Sequence, residues 1–181
     1  KPIDTYQLLF GPIAVGVPGT VKGLEMAHKA YGMMAWKALL QPAITLARDG
    51  FVVDPNLARN WAKWKEPVSN GTNFLDHFGN LESGEVFRQP ELANTLGRLA
   101  DDPADFYRGE TARMLVSSME KFGGRITATD LANYQAHWRD PVEGEWRDYT
   151  IVTAPPPSSG GIALVQMLKL HDEAAPSFEG I

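Results

Sequence analysis

The hydrophobic period of this chain switches to alternation over one short stretch near its end, and that switch limits what it can fold into. Up to about residue 140, apolar side chains recur at the three- and four-residue spacing of amphipathic helices. Between Pro141 and Ala154 they alternate. Val142, Gly144 and Trp146 share one parity, as do Tyr149, Ile151 and Thr153, and Arg147-Asp148 lies between the two runs. This predicts two strands joined by a tight turn. Pro155-Pro156-Pro157 ends the second strand, and Ser158-Ser159-Gly160-Gly161 leads into a last helix from Ile162 to about His171. The expectation is an α/β chain, mostly helical, with one short strand pair near its end.

The helices are bounded by their punctuation. The first is expected over Thr20 to Tyr31, with Val21, Leu24, His28 and Tyr31 on one face and Gly32 as its C-terminal cap. A second should cover Trp36 to Asp49, closed by Gly50, with a restart or kink at Pro42. Asp54-Pro55 is an N-cap acid followed by a first-turn proline, so Leu57, Trp61 and Trp64 form the stripe of a helix that Pro67 ends. Ser69 to Arg88 reads as the least regular part, with a turn at Asn70-Gly71. Pro90 opens another helix with Leu92, Leu96 and Leu99 inward. The strongest pattern lies between Gly109 and Gly123, where Ala112, Leu115, Val116, Met119 and Phe122 form one face. Thr127 and Asp130 fit a capping box for a short helix reaching Tyr134. No Pro/Ser-rich linker divides the chain, so residues 1–181 are expected to form a single domain or one piece of a domain.

Charge and composition exclude several function classes. Seventeen basic against 22 acidic residues leave a net charge of −5, which argues against a phosphate-binding footprint. The chain has no cysteine, so disulfides, thiolate catalysis and Cys-based metal sites are excluded. No apolar run is long enough to span a membrane. Lys1-Pro2-Ile3-Asp4 lacks the features of a signal peptide and no Met precedes it, so the chain is expected to start mid-protein or after processing.

The local motifs carry little chemistry by themselves. Gly16-Val17-Pro18-Gly19-Thr20-Val21-Lys22-Gly23 matches neither a P-loop nor G-x-G-x-x-G, and reads as a tight turn feeding a helix. His28, His77, His137 and His171 show no metal-ligand spacing, and His28 is expected as a partly buried side chain. The tryptophans Trp36, Trp61, Trp64, Trp138 and Trp146 are expected in packing. Asp101, Asp102, Asp105 and Glu110 read as a solvated acidic loop, and Asn70-Gly71-Thr72 as a turn that matches a glycosylation sequon. Ser158-Ser159-Gly160-Gly161 has three readings. It is a rigid strand-to-helix connection with a serine N-cap, an anion or substrate contact, or a nucleophile site. The last is least supported, because Pro157 stands where the G-x-S-x-G elbow needs Gly.

Longer phrases, taken together, resemble one family. They are Val17-Pro18-Gly19-Thr20-Val21-Lys22-Gly23-Leu24 with Lys29-Ala30-Tyr31-Gly32, and Gln41-Pro42-Ala43-Ile44-Thr45-Leu46-Ala47-Arg48-Asp49-Gly50-Phe51. Gln89 to Leu96, Phe106 to Gly109, Gly123 to Thr127, Asp130 to Tyr134 and Pro155 to Gly161 follow in order. From about Ala14 to His171 the chain resembles the large subunit of γ-glutamyltransferases (γ-glutamyltranspeptidases), and residues 1–13 match poorly.

That resemblance implies part of the αββα fold of N-terminal-nucleophile hydrolases. It implies a precursor that cuts itself into large and small subunits, and a small-subunit Thr that attacks the γ-glutamyl amide of glutathione or a similar small molecule. The γ-glutamyl group would then pass to water, an amino acid or a peptide. Relatives of the same fold cleave other amides, such as acylated β-lactams or polyglutamate. The small-subunit Thr-Thr-His and Gly-Ser-Pro-Gly-Gly segments do not occur in these residues, and Lys1 to Ile13 contain no Arg for the carboxylate clamp. Hence no catalytic residue is assigned, no metal or other cofactor is implied, and this chain alone is expected to be inactive. Pro157, Ser158, Ser159, Gly160 and Gly161 are the expected wall of the substrate pocket. The implied partner is the small catalytic subunit, and the implied location is periplasmic or extracellular. A non-catalytic interaction module is the alternative from another class.

Overall fold

The computed structural model describes residues 11–69, 73–79 and 81–173. The Asn70-Gly71 turn and the sequon at Asn70 lie outside the described residues. The chain's contacts divide it into two units, Lys1–Ala136 and His137–Ile181.

In the first unit a 3-10 turn (Pro12–Ala14) precedes helices α1 (Thr20–Tyr31) and α2 (Trp36–Asp49). A two-residue strand β1 (Phe51–Val52) leads to α3 (Pro55–Ser69) and α4 (Phe74–Phe78). Strand β2 (Val86–Phe87) pairs antiparallel with β1, Phe51 opposite Phe87. Then come α5 (Pro90–Asp101), α6 (Asp105–Arg108), α7 (Glu110–Phe122) and α8 (Ala128–Asn133).

Local signals set most of these boundaries. Asp54 Oδ1 accepts the N–H groups of Asn56 at 2.8 Å and Leu57 at 3.1 Å, so the N-cap of α3 forms as its sequence predicts. Thr127 and Asp130 close a reciprocal capping box on α8. Gly123 ends α7 in the left-handed region at φ 78°. Gly50 ends α2 at φ 90°, where a Cβ would also meet Val86 Cγ1 at 2.7 Å. Gly32 follows α1 as expected, but in extended geometry.

One proline expectation fails: α3 runs to Ser69, past Pro67. At Pro42 the restart is ruled out, because α2 is continuous from Trp36 to Asp49. A proline removes one N–H and restricts its neighbour, and packing on other elements outweighs that local cost. α2 packs along α5, where Trp36 Nε1 donates to Leu99 O at 2.7 Å and Gln89 N donates to Ala47 O at 2.7 Å.

Among the described residues, two buried clusters lie in the core of this unit, beside the buried Ala47, Ala93, Leu99 and Ala100. Tyr107, Ala112, Ile126 and Leu131 are buried under Val17, Val21, Met119 and Tyr134, and Leu131 is fully enclosed. Val53, Leu81 and Phe87 are buried against Leu57, Trp61 and Phe78. Tyr107 ties the glycine-rich turn to the first cluster, because its Oη donates to Pro18 O at 2.9 Å and accepts from Lys22 N at 3.0 Å. Gly19 is required there, since a Cβ would strike the Tyr134 ring.

Several residues expected inward are exposed instead: Leu24 and Tyr31 on α1, Leu92 on α5, and Phe122 on α7. The buried position on α1 is Glu25, held by Lys22 Nζ at 3.1 Å and by Lys29. Burial favours its neutral form, but the two lysines outweigh this and hold its carboxyl below the ordinary range. Trp64 and Trp138 are largely exposed rather than packed in a core.

The second unit is a hairpin with a helix. Strands β3 (Val142–Trp146) and β4 (Tyr149–Thr153) pair antiparallel with Val142 opposite Thr153 and Trp146 opposite Tyr149. The two-residue turn holds Arg147 at φ 52°, the backbone hand that tight hairpins favour. Its guanidinium stacks 4.6 Å from the Trp146 ring and approaches Asp172 at 3.6 Å. Helix α9 (Gly160–Glu173) starts two residues earlier than predicted and packs on β3. Val165 fits where Gly144 has no side chain; a Cβ there would come within 2.8 Å of Val165 Cγ1.

Candidate functional site

The sequence-predicted pocket wall lies wholly in the second unit, between the end of β4 and the first turn of α9. Pro157, Ser158, Ser159 and Gly160 are exposed, whereas Gly161 is buried. Gly161 is fixed by contact: a Cβ would strike Ala154 O and stand 2.8 Å from Thr153 Cγ2. Gly160 faces open space, with only Ser158 Oγ near, at 3.7 Å. The two neighbouring glycines therefore do different jobs, one allowing strand and helix to meet and one leaving a surface bare.

Backbone bonds shape the rest. Ser158 N donates to Pro155 O at 3.1 Å, closing a turn over the prolines, and Ala163 N donates to Ser159 O at 3.0 Å, starting the helix. Ser159 thus occupies the N-cap position. The Pro156–Pro157 peptide is cis. A feature that residue patterning did not reveal is Arg139, whose Nη1 donates to Pro156 O at 3.2 Å. It lies 17 residues away in sequence, so only the hairpin brings the two together.

Chemically, this segment presents two serine hydroxyls and the first-turn N–H groups of a 14-residue helix. Such donors suit an oxygen anion or a developing negative charge. They do not make a nucleophile elbow, for the reason given by Pro157.

The first unit holds other concavities. An open pocket of about 390 Å3 is lined by Tyr107, Arg108, Arg113, Val116, Glu120 and Ala132. Its Arg113 is paired with Glu110, and Arg108 Nη2 donates to Ala132 O at 2.9 Å. Asp105, expected in a solvated loop, is half-buried. Its carboxylate accepts from Glu110 N at 2.7 Å, Thr111 N at 3.3 Å, the Thr111 hydroxyl and Arg98 Nε at 3.3 Å. Burial pushes its pKa up, but these donors outweigh burial and hold it below the ordinary value. It therefore caps α7 as an anion, which is the wrong state for a general acid. His28 is half-buried as expected, with Nε2 2.8 Å from Met34 O. Among the described residues no group of three His, Asp or Glu is arranged to hold a metal, and no helix is long and apolar enough to cross a membrane.

The family model for γ-glutamyltranspeptidase matches residues 4–179. The chain belongs to the γ-glutamyltranspeptidase family. The match begins at residue 4, upstream of the first motif quoted above. The chain is 46% identical to the glutathione hydrolase proenzyme of Pseudomonas aeruginosa over 174 residues, which is 96% of this chain and 31% of that protein. It is 39% identical to the glutathione hydrolase proenzyme of Escherichia coli, over 92% of this chain and 30% of the relative. Among solved structures it resembles the γ-glutamyltranspeptidase from Pseudomonas nitroreducens complexed with L-DON. The TM-score is 0.93 at 46% identity, covering 99% of this chain and 54% of the other. It also resembles the cephalosporin acylase from Bacillus halodurans, with a TM-score of 0.77 at 33% identity, covering 81% of this chain and 30% of the other. The chain thus spans about a third of the length of the curated γ-glutamyltranspeptidase relatives it matches. Over nearly its whole length the chain shares the backbone fold of that γ-glutamyltranspeptidase.

Proposed function

We propose that these residues form one large-subunit segment of a γ-glutamyltranspeptidase, both units together. The full-length protein hydrolyses γ-glutamyl amides such as glutathione and transfers the γ-glutamyl group to water, an amino acid or a peptide. The attacking Thr is supplied by the small subunit of the same precursor. This segment contributes scaffold, and Pro157 to Gly161 contribute one wall of the substrate pocket. Its place is periplasmic or extracellular, as for bacterial members of the family.

The observation that carries this reading is the 46% identity over 96% of the chain with a glutathione hydrolase proenzyme. A rival substrate class, an acylated β-lactam, is favoured by the likeness to a cephalosporin acylase, at lower identity. A substrate panel on the purified full-length protein decides between them. Turnover of a γ-glutamyl anilide well above that of an acylated β-lactam is expected, and the reverse order would overturn the assignment. The 181-residue chain alone should turn over neither.

A further inference from the structure

We infer that Arg139 is a positioning residue: its guanidinium fixes the Pro156 carbonyl and thereby sets the face that Ser158, Ser159 and Gly160 turn toward a γ-glutamyl substrate. This rests on the proposed function and on the pocket-wall role of that loop.

Three consecutive prolines have carbonyls but no N–H groups, so Pro155 to Pro157 cannot anchor themselves by donating. Each acceptor needs a donor from elsewhere. Pro155 O is taken by Ser158 N, and Pro156 O by Arg139 Nη1 at 3.2 Å. Beyond the loop, Gly161 is wedged against Ala154 and Thr153, and Ser159 O is bound into the first turn of α9. Both ends are held, and the exposed stretch between them is the part with open space beside it.

Arg139 is well placed for this task. It stands three residues before β3, whose first residue pairs with the last residue of β4, Val142 with Thr153. The backbone carrying Arg139 is therefore in fixed register with the strand that enters the loop. The bond is charge-assisted, with a cation as donor. It is also exposed to solvent, so losing it should tilt the loop rather than unfold the protein.

The test uses the full-length protein and a γ-glutamyl anilide. Arg139→Ala should raise KM by about 3- to 10-fold while kcat stays within about 2-fold of wild type, as for one lost solvent-exposed hydrogen bond. Arg139→Lys keeps a cationic donor for the same carbonyl and should restore KM. Ser159→Asp reports on the loop itself, because a larger, charged side chain there should crowd the zwitterionic γ-glutamyl group and raise KM. If Ser159→Asp raises KM but Arg139→Ala does not, the loop lines the pocket and the role of Arg139 is overturned. If Arg139→Lys is as impaired as Arg139→Ala, the Pro156 bond is not the cause and the inference also falls. If neither Ser159→Asp nor Arg139→Ala changes KM in an active enzyme, the loop does not face substrate and the inference falls with it. A wild-type protein inactive on every γ-glutamyl amide would remove the proposed function as well. Should Arg139→Ala fail to fold, Arg139→Gln compared with Arg139→Lys gives the same KM ratio.

Discussion

Each of the two units is stabilised internally by different means. Among the described residues, every buried apolar side chain lies in the helical unit, from Ala47 to Leu131. The hairpin unit has none, and its helix α9 leaves Ile162, Leu164, Met167 and Leu170 exposed beside the packed Val165. An apolar helix with several bare faces suits a place inside a larger protein. The helical unit is fixed by side-chain volume, and the hairpin unit by backbone: strand register, proline carbonyls and two glycines that let α9 approach. The candidate pocket wall belongs to the second kind. Substitutions should therefore act by volume in one unit and by backbone fit in the other.

The sharpest way to break this contrast is a volume deletion in each unit. Leu131→Ala removes a fully enclosed side chain from the first cluster and should cost about 3 kcal/mol. Val165→Ala in the hairpin unit should cost about 1 kcal/mol or less, because its site is only half-closed. Urea unfolding of the 181-residue chain measures both, and equal losses would refute the distinction. Next in size is the glycine pair. Gly161→Ala forces a Cβ onto Ala154 O and should destabilise by about 1–3 kcal/mol, whereas Gly160→Ala should be neutral within about 0.5 kcal/mol. If both are tolerated, the strand-to-helix contact does not shape the loop.

A smaller effect sharpens the picture of the helical unit, where the half-buried Asp105 caps α7 as an anion. Asp105 has a depressed pKa in the folded state. Its stabilisation is therefore complete above the ordinary carboxylate value near 3.8 and is lost as pH falls through its own lower value. Asp105→Asn should cost about 1 kcal/mol at neutral pH, and the gap from wild type should close toward pH 2. A gap that widens in acid would contradict the assignment of the anion as the cap.

How far the sequence revealed these features depended on the range of the interaction. Asp54, Thr127 with Asp130, and the Gly109 to Gly123 interval act within a few residues, and all appear where patterning places them. The hairpin register follows from its alternation and two-residue turn. The β1–β2 pair was missed because two residues show no period, and its partners lie more than 30 positions apart. Periodicity also identified apolar faces without showing which are covered, hence the exposed Leu24, Leu92 and Phe122. The lysines that hold the buried Glu25 stand three and four residues away on the predicted helix, so that cluster was open to helical patterning, which marks no burial. The half-buried Asp105 depends on Arg98 of another helix, which patterning does not bring to it. The loop from Pro157 to Gly161 was legible as a strand-to-helix connection. Its anchor at Arg139 was not, because one arginine before a strand carries no local signal.

The central proposal is that these residues belong to a self-cleaving γ-glutamyltranspeptidase whose nucleophile lies on another polypeptide of the same precursor. An intact-mass spectrum of the active full-length protein, denatured, tests it most directly. Two polypeptides are predicted, the smaller beginning with Thr and the larger containing this segment. A single uncut chain that still turns over γ-glutamyl anilide would contradict the account.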